Sequence, residues 1–294
     1  MPELPDLAIY RDAIAARVIG QPVTQIRIDN PFVLRTAVPP IADAEGKQVH
    51  DVRRLGKRLV LALDGDLFLV FHLMIAGRLR WLADGGKPPK RITLARLAFP
   101  TGTLAFTEAG TKRRASLHLV HGEKALAALD PGGLEVLMAD RDAFVARLQG
   151  ENHTLKRALT DPSLFSGIGN AYSDEILHRA RLSPLALTQR LSDDDATHLF
   201  EAVRNVISEW TTRLRDELGG AFPENVTAFR PEMAVHGKFG KPCPVCGTPV
   251  QRIVYAENEC NYCARCQTGG KLLADRSLSR LLKSSWPRSL DELG

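Results

Sequence analysis

Five cysteines, Cys243, Cys246, Cys260, Cys263 and Cys266, crowd into 24 of the chain's 294 residues, and the rest of the sequence has none. Four of them form two Cys-x-x-Cys pairs, Cys243–Cys246 and Cys263–Cys266, separated by sixteen residues. Disulfide scaffolds spread their cysteines more widely, so this clustering reads as metal binding in a reducing compartment. Two hairpin knuckles at that distance can bring four thiolates into a tetrahedron around Zn²⁺. The spacing predicts one structural zinc held by Cys243, Cys246, Cys263 and Cys266, with Cys260 left over. A four-thiolate site keeps no open position, so the ion does no chemistry itself. Its hairpin could still present Gln251, Arg252, Asn258 or Arg265 to a phosphate.

The N-terminal half has a different texture. Leu7, Ala8, Ile14, Ala15 and Val18 have helical spacing, with Pro5 near the start, where proline is tolerated. Short β-rich runs follow: Val23–Ile28, Val49–Arg54, Leu59–Leu63, Leu67–Leu73, Leu79–Leu82, Ile92–Phe99 and Thr103–Phe106. Asp64-Gly65-Asp66 and Pro100-Thr101-Gly102 are hairpin connections, and residues 84–89 form an exposed loop. After Asp130-Pro131-Gly132-Gly133 the pattern turns helical, at Ala143–Leu148, Leu155–Leu159, Asn170–Ala180 and Asp193–Leu218. The expected class is α+β: an antiparallel β-sandwich with a leading helix, then a helical domain, then the cysteine hairpin. Expected boundaries are residues 1–130, 135–237, 238–270 and a C-terminal extension 271–294. In that extension Leu272, Leu273, Leu278, Leu281 and Leu282 suggest a short helix packed on the zinc module. No apolar run is long enough for a bilayer, and the N-terminus lacks the pattern of a secretory signal, so a cytoplasmic protein with no membrane partner is expected. A net charge of +5 is compatible with a polyanionic partner.

The first residues, Met1-Pro2-Glu3, carry a chemical signal. Methionine is routinely removed before a small residue, which would expose the secondary amine of Pro2 beside the Glu3 carboxyl. An α-amino group titrates near ~8, so a useful fraction is neutral and nucleophilic at cellular pH. Attack on a sugar aldehyde carbon gives an iminium, an electron sink that eases elimination of neighbouring phosphates. An amine with an adjacent acid is the pairing Schiff-base catalysis needs. Many chains begin Met-Pro, however, and the pair alone decides little.

A second signal runs from Lys156 to Leu164-Phe165-Ser166-Gly167-Ile168-Gly169-Asn170-Ala171-Tyr172-Ser173-Asp174-Glu175. Gly167 and Gly169 allow close backbone approach, and Asn170 opens a helix whose N-terminal N–H groups suit a phosphate. A plain helix–helix turn explains the same residues. Taken together, Met-Pro-Glu-Leu-Pro, the Gly167–Glu175 turn and the Cys-x-x-Cys-x16-Cys-x-x-Cys module occur in the order found in the formamidopyrimidine-DNA glycosylase / endonuclease VIII family. The resemblance covers Met1 to about Gln267.

The resemblance implies a bifunctional DNA glycosylase and abasic-site (AP) lyase of base-excision repair. It acts on damaged DNA, duplex or single-stranded, as a monomer. Pro2 matches the nucleophile that attacks the deoxyribose C1′, and Glu3 the acid that assists ring opening. Lys57, in Gly56-Lys57-Arg58, matches a catalytic lysine near the lesion phosphate; Arg53, Arg54 and Arg58 surround it in sequence. Lys156 and Asn170 match phosphate-binding positions, and Glu175 a buried acid. Where the family has His-Leu-Gly-Met-Ser-Gly, with a void-filling methionine, this chain has His72-Leu73-Met74-Ile75-Ala76-Gly77. Ile75 takes the methionine's place, with Met74 beside it. The family's Asp-Pro-Arg-Arg-Phe-Gly wedge loop becomes Glu108-Ala109-Gly110-Thr111-Lys112-Arg113-Arg114, without the aromatic and with Arg113 as a displaced basic contact. Unstacking a base costs a few kcal/mol, which wedges offset. Losing the wedge predicts activity on single-stranded or open DNA at least equal to that on duplex. The stretch from Gly219 to Gly237 is shorter than the family's lid over 8-oxoguanine. Asn258 stands at the family's phosphate-clamping arginine, a loss that Arg252 or Lys271 could make good. These departures also fit a competing reading, a zinc-finger damage-binding protein without turnover. Intact Pro2, Glu3 and Lys57 argue against it.

Overall fold

The computed structural model describes residues 1–83, 86–255, 258–274, 281 and 287–293. The chain forms two compact units: Met1–Pro131 with Trp210–Thr227, and Gly132–Glu209 with Ala228–Gly294.

The first unit opens with helix α1 (Leu4–Val18). Leu7, Tyr10, Ile14 and Val18 recur every three or four residues and are buried, the spacing of one helical face. Eight strands follow: β1 (Gln25–Ile28), β2 (Val49–Leu55), β3 (Arg58–Leu63), β4 (Leu67–His72), β5 (Gly77–Leu82), β6 (Thr93–Phe99), β7 (Gly102–Glu108) and β8 (Ser116–His121). They form two antiparallel sheets, ordered β1-β6-β7-β5 and β2-β3-β4-β8. Leu59, Leu61, Leu63, Leu69 and Phe71 of one sheet share a core with Leu79, Leu97, Leu104 and Phe106 of the other. This is the expected sandwich.

The β3 strand, Arg-Leu-Val-Leu-Ala-Leu, is apolar without alternation because both its faces are covered. Val60 and Ala62 point into a second cluster with Phe68, Val70, Val120 and Leu126. Leu126 lies on α2 (Glu123–Ala127). Both β8 and α2 escape the sequence pattern. β8 carries two histidines, follows a polar basic loop, and is defined by its pairing with the distant β4, Phe71 facing Leu117.

The second unit holds α3 (Arg141–Gln149), α4 (Leu155–Thr160), α5 (Asn170–Arg179) and the start of α6 (Asp193–Leu218). It also holds the hairpin β9 (Gln251–Tyr255) and β10 (Asn258–Tyr262), followed by α7 (Ala264–Thr268). Helix α6 lies where expected, but Trp210–Thr227 belongs to the first unit. There Arg215 pairs with Asp12 at 2.8 Å and Phe222 packs on Tyr10 with ring centroids 5.9 Å apart. In the C-terminal extension, Leu278 and Leu282 lie outside the described residues. Leu272, Leu273 and Leu290 pack against Ile253, Tyr262 and Ala264 of the zinc module. The Leu273 N–H donates to the Tyr262 hydroxyl at 2.8 Å.

Candidate active site and zinc module

In the first unit the N-terminus enters the fold directly. Pro2 and Glu3 are buried, Glu3 at 3% exposure. The Glu3 N–H donates to Asp6 Oδ2 at 3.0 Å, so the acid at the third helical position fixes the entry of the chain. The terminal amine, here still that of Met1, is held below its ordinary value chiefly by burial. Arg78 and Lys57 push it the same way, while Glu3 and Asp6 oppose them. The Glu3 carboxyl and the Lys57 ammonium thus each lie within electrostatic reach of the terminal amine. Arg78 and Asp6, which the sequence reading did not single out, belong to the same cluster.

Three loops frame this end of the sandwich by their own geometry. Gly56 and Lys57 make the two-residue turn from β2 to β3, with Leu55 facing Arg58 and Gly56 at φ +58°. That backbone suits glycine. The Arg54 guanidinium donates to the Gly56 carbonyl at 2.6 Å, bracing the turn that carries Lys57. Between β4 and β5 the Gly77 N–H closes onto the Leu73 carbonyl at 2.8 Å. A Cβ at Gly77 would lie 2.2 Å from that oxygen, so any larger residue forces the turn to shift. Met74 adopts φ +52°, a strained conformation for a side-chain-bearing residue. Its neighbour Ile75 is 60% exposed at the tip. Arg78 braces this turn through the carbonyls of Ile75 (3.2 Å) and Gly77 (2.7 Å).

The third loop, after β7, is closed at its base by Glu108. This buried carboxylate accepts the N–H of Arg114 at 3.1 Å and of Ala115 at 3.2 Å. Lys112 and Arg113 are exposed, and the Arg113 guanidinium donates to the Arg91 carbonyl at 2.9 Å.

In the second unit a buried polar network ties the α4–α5 turn to the zinc hairpin. Lys156 does not project into solvent: its side chain is 11% exposed, and that of Asp174 is wholly buried. The Lys156 ammonium donates to Asp174 Oδ1 (2.6 Å), Ser173 Oγ (2.8 Å) and the Asn170 carbonyl (2.7 Å). The other carboxylate oxygen of Asp174 accepts the Asn261 N–H at 3.1 Å and lies 2.8 Å from His236 Nδ1. The N-cap of α5 is Gly169, and Asn170 is its first helical residue. The Asn170 amide donates to the Glu259 carbonyl of β10 at 2.8 Å. Glu175 accepts three backbone N–H groups, from Ala234 (2.8 Å), Val235 (2.9 Å) and His236 (2.9 Å). Burial pushes its carboxyl upward, and those three donors oppose the shift. Asp174 and His236 went unremarked in the sequence. The only signal was two adjacent acids on a helix whose next residues, Ile176 and Leu177, are apolar.

The four expected zinc ligands come together. The sulfurs of Cys243, Cys246, Cys263 and Cys266 all lie within 4.8 Å of one another, Cys243–Cys266 at 4.0 Å and Cys246–Cys263 at 3.4 Å. Tetrahedral Zn–S bonds of about 2.3 Å place sulfurs about 3.8 Å apart, so the donor set and spacing fit one zinc ion. His178 Nε2, from α5, lies 3.3 Å from Cys243 Sγ, an outer contact that orients the ligand. Cys260 is buried outside the ligand set, and burial followed by the Asp174 charge pushes its thiol up. Arg252 stacks over Phe239 at 4.3 Å and sits 3.5 Å from Glu259. The Asn258 side chain lies outside the described residues. Among the described residues no helix is long and apolar enough to cross a membrane.

Three family models match in order: the formamidopyrimidine-DNA glycosylase N-terminal domain over residues 1–115, its H2TH domain over 133–214, and the zinc finger found in FPG and IleRS over 240–269. Formamidopyrimidine-DNA glycosylase of Thermus thermophilus is 34% identical over 284 residues, covering 92% of this chain and all of the relative. An uncharacterised formamidopyrimidine-DNA glycosylase-like protein of Mycobacterium tuberculosis is 42% identical over 156 residues, 53% of this chain and 95% of that one. The crystal structure of MutM (Fpg) from Thermus thermophilus superposes with a TM-score of 0.75 at 33% identity, covering 90% of this chain and 98% of that one. A MutM in complex with DNA containing carbocyclic 8-oxo-G shares the fold, with a TM-score of 0.79 at 24% identity over 91% of this chain and 100% of that one. This chain belongs to the formamidopyrimidine-DNA glycosylase family, whose members are DNA glycosylases with AP lyase activity.

Proposed function

We propose that this chain removes oxidised or ring-opened bases through an N-terminal Schiff base and then cleaves the strand by β- and δ-elimination. The observation that carries this is the buried terminal amine within electrostatic reach of Glu3 and Lys57. Burial and two neighbouring cations favour the neutral, nucleophilic form of an amine. Loss of Met1 transfers that position to the secondary amine of Pro2.

The Pro2 lone pair forms a bond to C1′ as the C1′–N glycosidic bond breaks, and the base leaves with the proton that the Pro2 nitrogen gives up. Glu3 delivers a proton to the ring oxygen as C1′–O4′ opens, leaving an iminium between Pro2 and C1′. Loss of a C2′ proton, eased by the iminium, expels the 3′ phosphate. A second elimination expels the 5′ phosphate, and water then hydrolyses the iminium to free Pro2. Lys57 and Arg54 hold phosphate beside the reacting sugar. The N-terminus of α5, with Asn170, takes a backbone phosphate, and Lys156 adds its charge from beneath through the Asn170 carbonyl. Ile75 and Met74 fill the space the extruded nucleotide leaves, and Glu175 fixes the backbone that follows the shortened lid. The protein acts as a monomer. With no aromatic in the Ala109–Arg114 loop, activity on single-stranded or open DNA equals or exceeds that on duplex.

The test compares one lesion in single-stranded and duplex oligonucleotides, with wild-type protein and with Glu3→Gln and Pro2→Gly variants. Both variants are expected to lose base excision while binding abasic-site DNA. A Glu3→Gln enzyme with full excision would refute the acid's role, and a large duplex preference would sink the strand claim.

A further inference from the structure

The first unit carries a second basic feature, which shares only Arg113 with the residues already assigned. A groove of about 570 Å³, within the range of natural ligand clefts of roughly 300–1,000 Å³, opens along the edge strand β1 and its partner β6. Six cations line it: Arg27, Lys87, Lys90, Arg91, Arg96 and Arg113. Asp29 is the only acidic side chain among the described residues of its wall. That carboxylate is already committed. Arg96 grips it through two bonds of 2.7 and 2.8 Å, and Arg27 lies 3.4 Å away. Lys87, Lys90, Arg91 and Arg113 are exposed and share no other counter-charge in the lining.

An aromatic follows the wall directly in the chain. Asn30 and Pro31 belong to the wall, and Asn30 Oδ1 accepts the N–H of Phe32 at 3.1 Å, fixing the next residue. Phe32 is 79% exposed, so its ring face is open to a stacking partner. A basic track beside an exposed aromatic is the combination that binds single-stranded nucleic acid: charge follows the phosphates and the ring stacks a base.

We propose that this groove is a single-stranded DNA subsite, with Lys87, Lys90, Arg91 and Arg113 on the phosphates and Phe32 stacked on a base. The subsite goes beyond the excision chemistry and does not depend on it. Duplex is the poorer ligand, because its bases are paired and offer no free face to Phe32.

Binding of the full chain to a fluorescein-labelled, undamaged 20-nucleotide dT strand, followed by anisotropy across a salt series, tests this. Each phosphate contact on a single strand contributes about 0.7 to the slope of log K against log salt. Lys87→Ala/Lys90→Ala/Arg91→Ala should lower that slope by about 2 and weaken binding at least about tenfold at low salt. Phe32→Ala should weaken binding about fivefold or more with the slope unchanged, because stacking is uncharged. Cleavage of a short abasic-site duplex should be retained by both variants, which also shows that they fold. Unchanged strand affinity and slope overturn the proposal. So does an equal loss on an undamaged 20-base-pair duplex, or a parallel loss of abasic-site cleavage, since each makes the cations part of a general DNA track.

Discussion

Replacing Asp174 with asparagine should cost the second unit more than any surface change. The substitution keeps the shape and part of the hydrogen bonding but removes the charge. In the native protein that charge faces Lys156 Nζ at 2.6 Å, with the two side chains 0% and 11% exposed. The carboxylate also receives the Asn261 N–H and contacts His236. Without it, the ammonium is left with neutral acceptors alone, the Ser173 hydroxyl, the Asn170 carbonyl and the new amide oxygen. Breaking a buried ion pair from one side costs about 3–5 kcal/mol, because the surviving charge remains desolvated. At roughly 3–5 °C per kcal/mol for a unit of this size, the melting temperature should fall by about 9–25 °C. Calorimetry on zinc-loaded protein at neutral pH reads this directly. The double variant Lys156→Met/Asp174→Asn leaves no buried charge in the pair and should recover at least half of the loss, since the uncompensated ammonium is the main cost of breaking the pair. A drop of under about 3 °C for Asp174→Asn, or a double variant no more stable than the single one, would refute the reasoning.

Other expectations follow from the same geometry. Gly77→Ala, whose Cβ would meet the Leu73 carbonyl at 2.2 Å, should cost about 1–3 kcal/mol and displace the Met74–Ile75 tip, read as a lower melting temperature with slower excision. Ile75→Ala, at a 60% exposed position, should leave stability within about 0.5 kcal/mol yet slow excision from duplex more than from single strand; equal effects would rule out a void-filling role. Burial, then Arg58, His118 and Lys57, lowers the His72 pKa from 6.5 to about 4. The unfolded chain therefore binds the extra proton first, so stability should fall as pH drops from 6.5 towards 4 and be complete above that window. Denaturant titrations should show a shallower pH slope for His72→Gln. Stripping zinc with a chelator should loosen Asn261 and, through Asp174, the α5 N-terminus, so hydrogen exchange should rise at both; protection that persists at α5 would break that link.

What the sequence revealed and what it hid divide along physical lines. Periodicity exposed α1 and α6, and turn residues exposed the β3–β4 hairpin, because those signals are local. Strand β8 stayed hidden because its two histidines blur the alternation and its identity comes from pairing with β4, far away in the chain. The zinc ligands were legible from spacing alone, since metal geometry is written in Cys-x-x-Cys. Lys156 was legible as a family position but not as a buried strut, because its three acceptors come from the next helix. Glu175 is similar: three amides 59 to 61 residues away hold it. Asp174 and His236 had no motif of their own, and only the fold puts them together at 2.8 Å.

The central claim is that the terminal amine, and not a lysine, attacks the sugar. Borohydride reduction of the enzyme on an abasic-site oligonucleotide, followed by proteolysis and mass spectrometry, locates the covalent bond. The account expects Met1 to be absent and the oligonucleotide remnant to sit on the Pro2 nitrogen of the N-terminal peptide. A remnant on Lys57, or no adduct from protein that binds the same DNA, would contradict it.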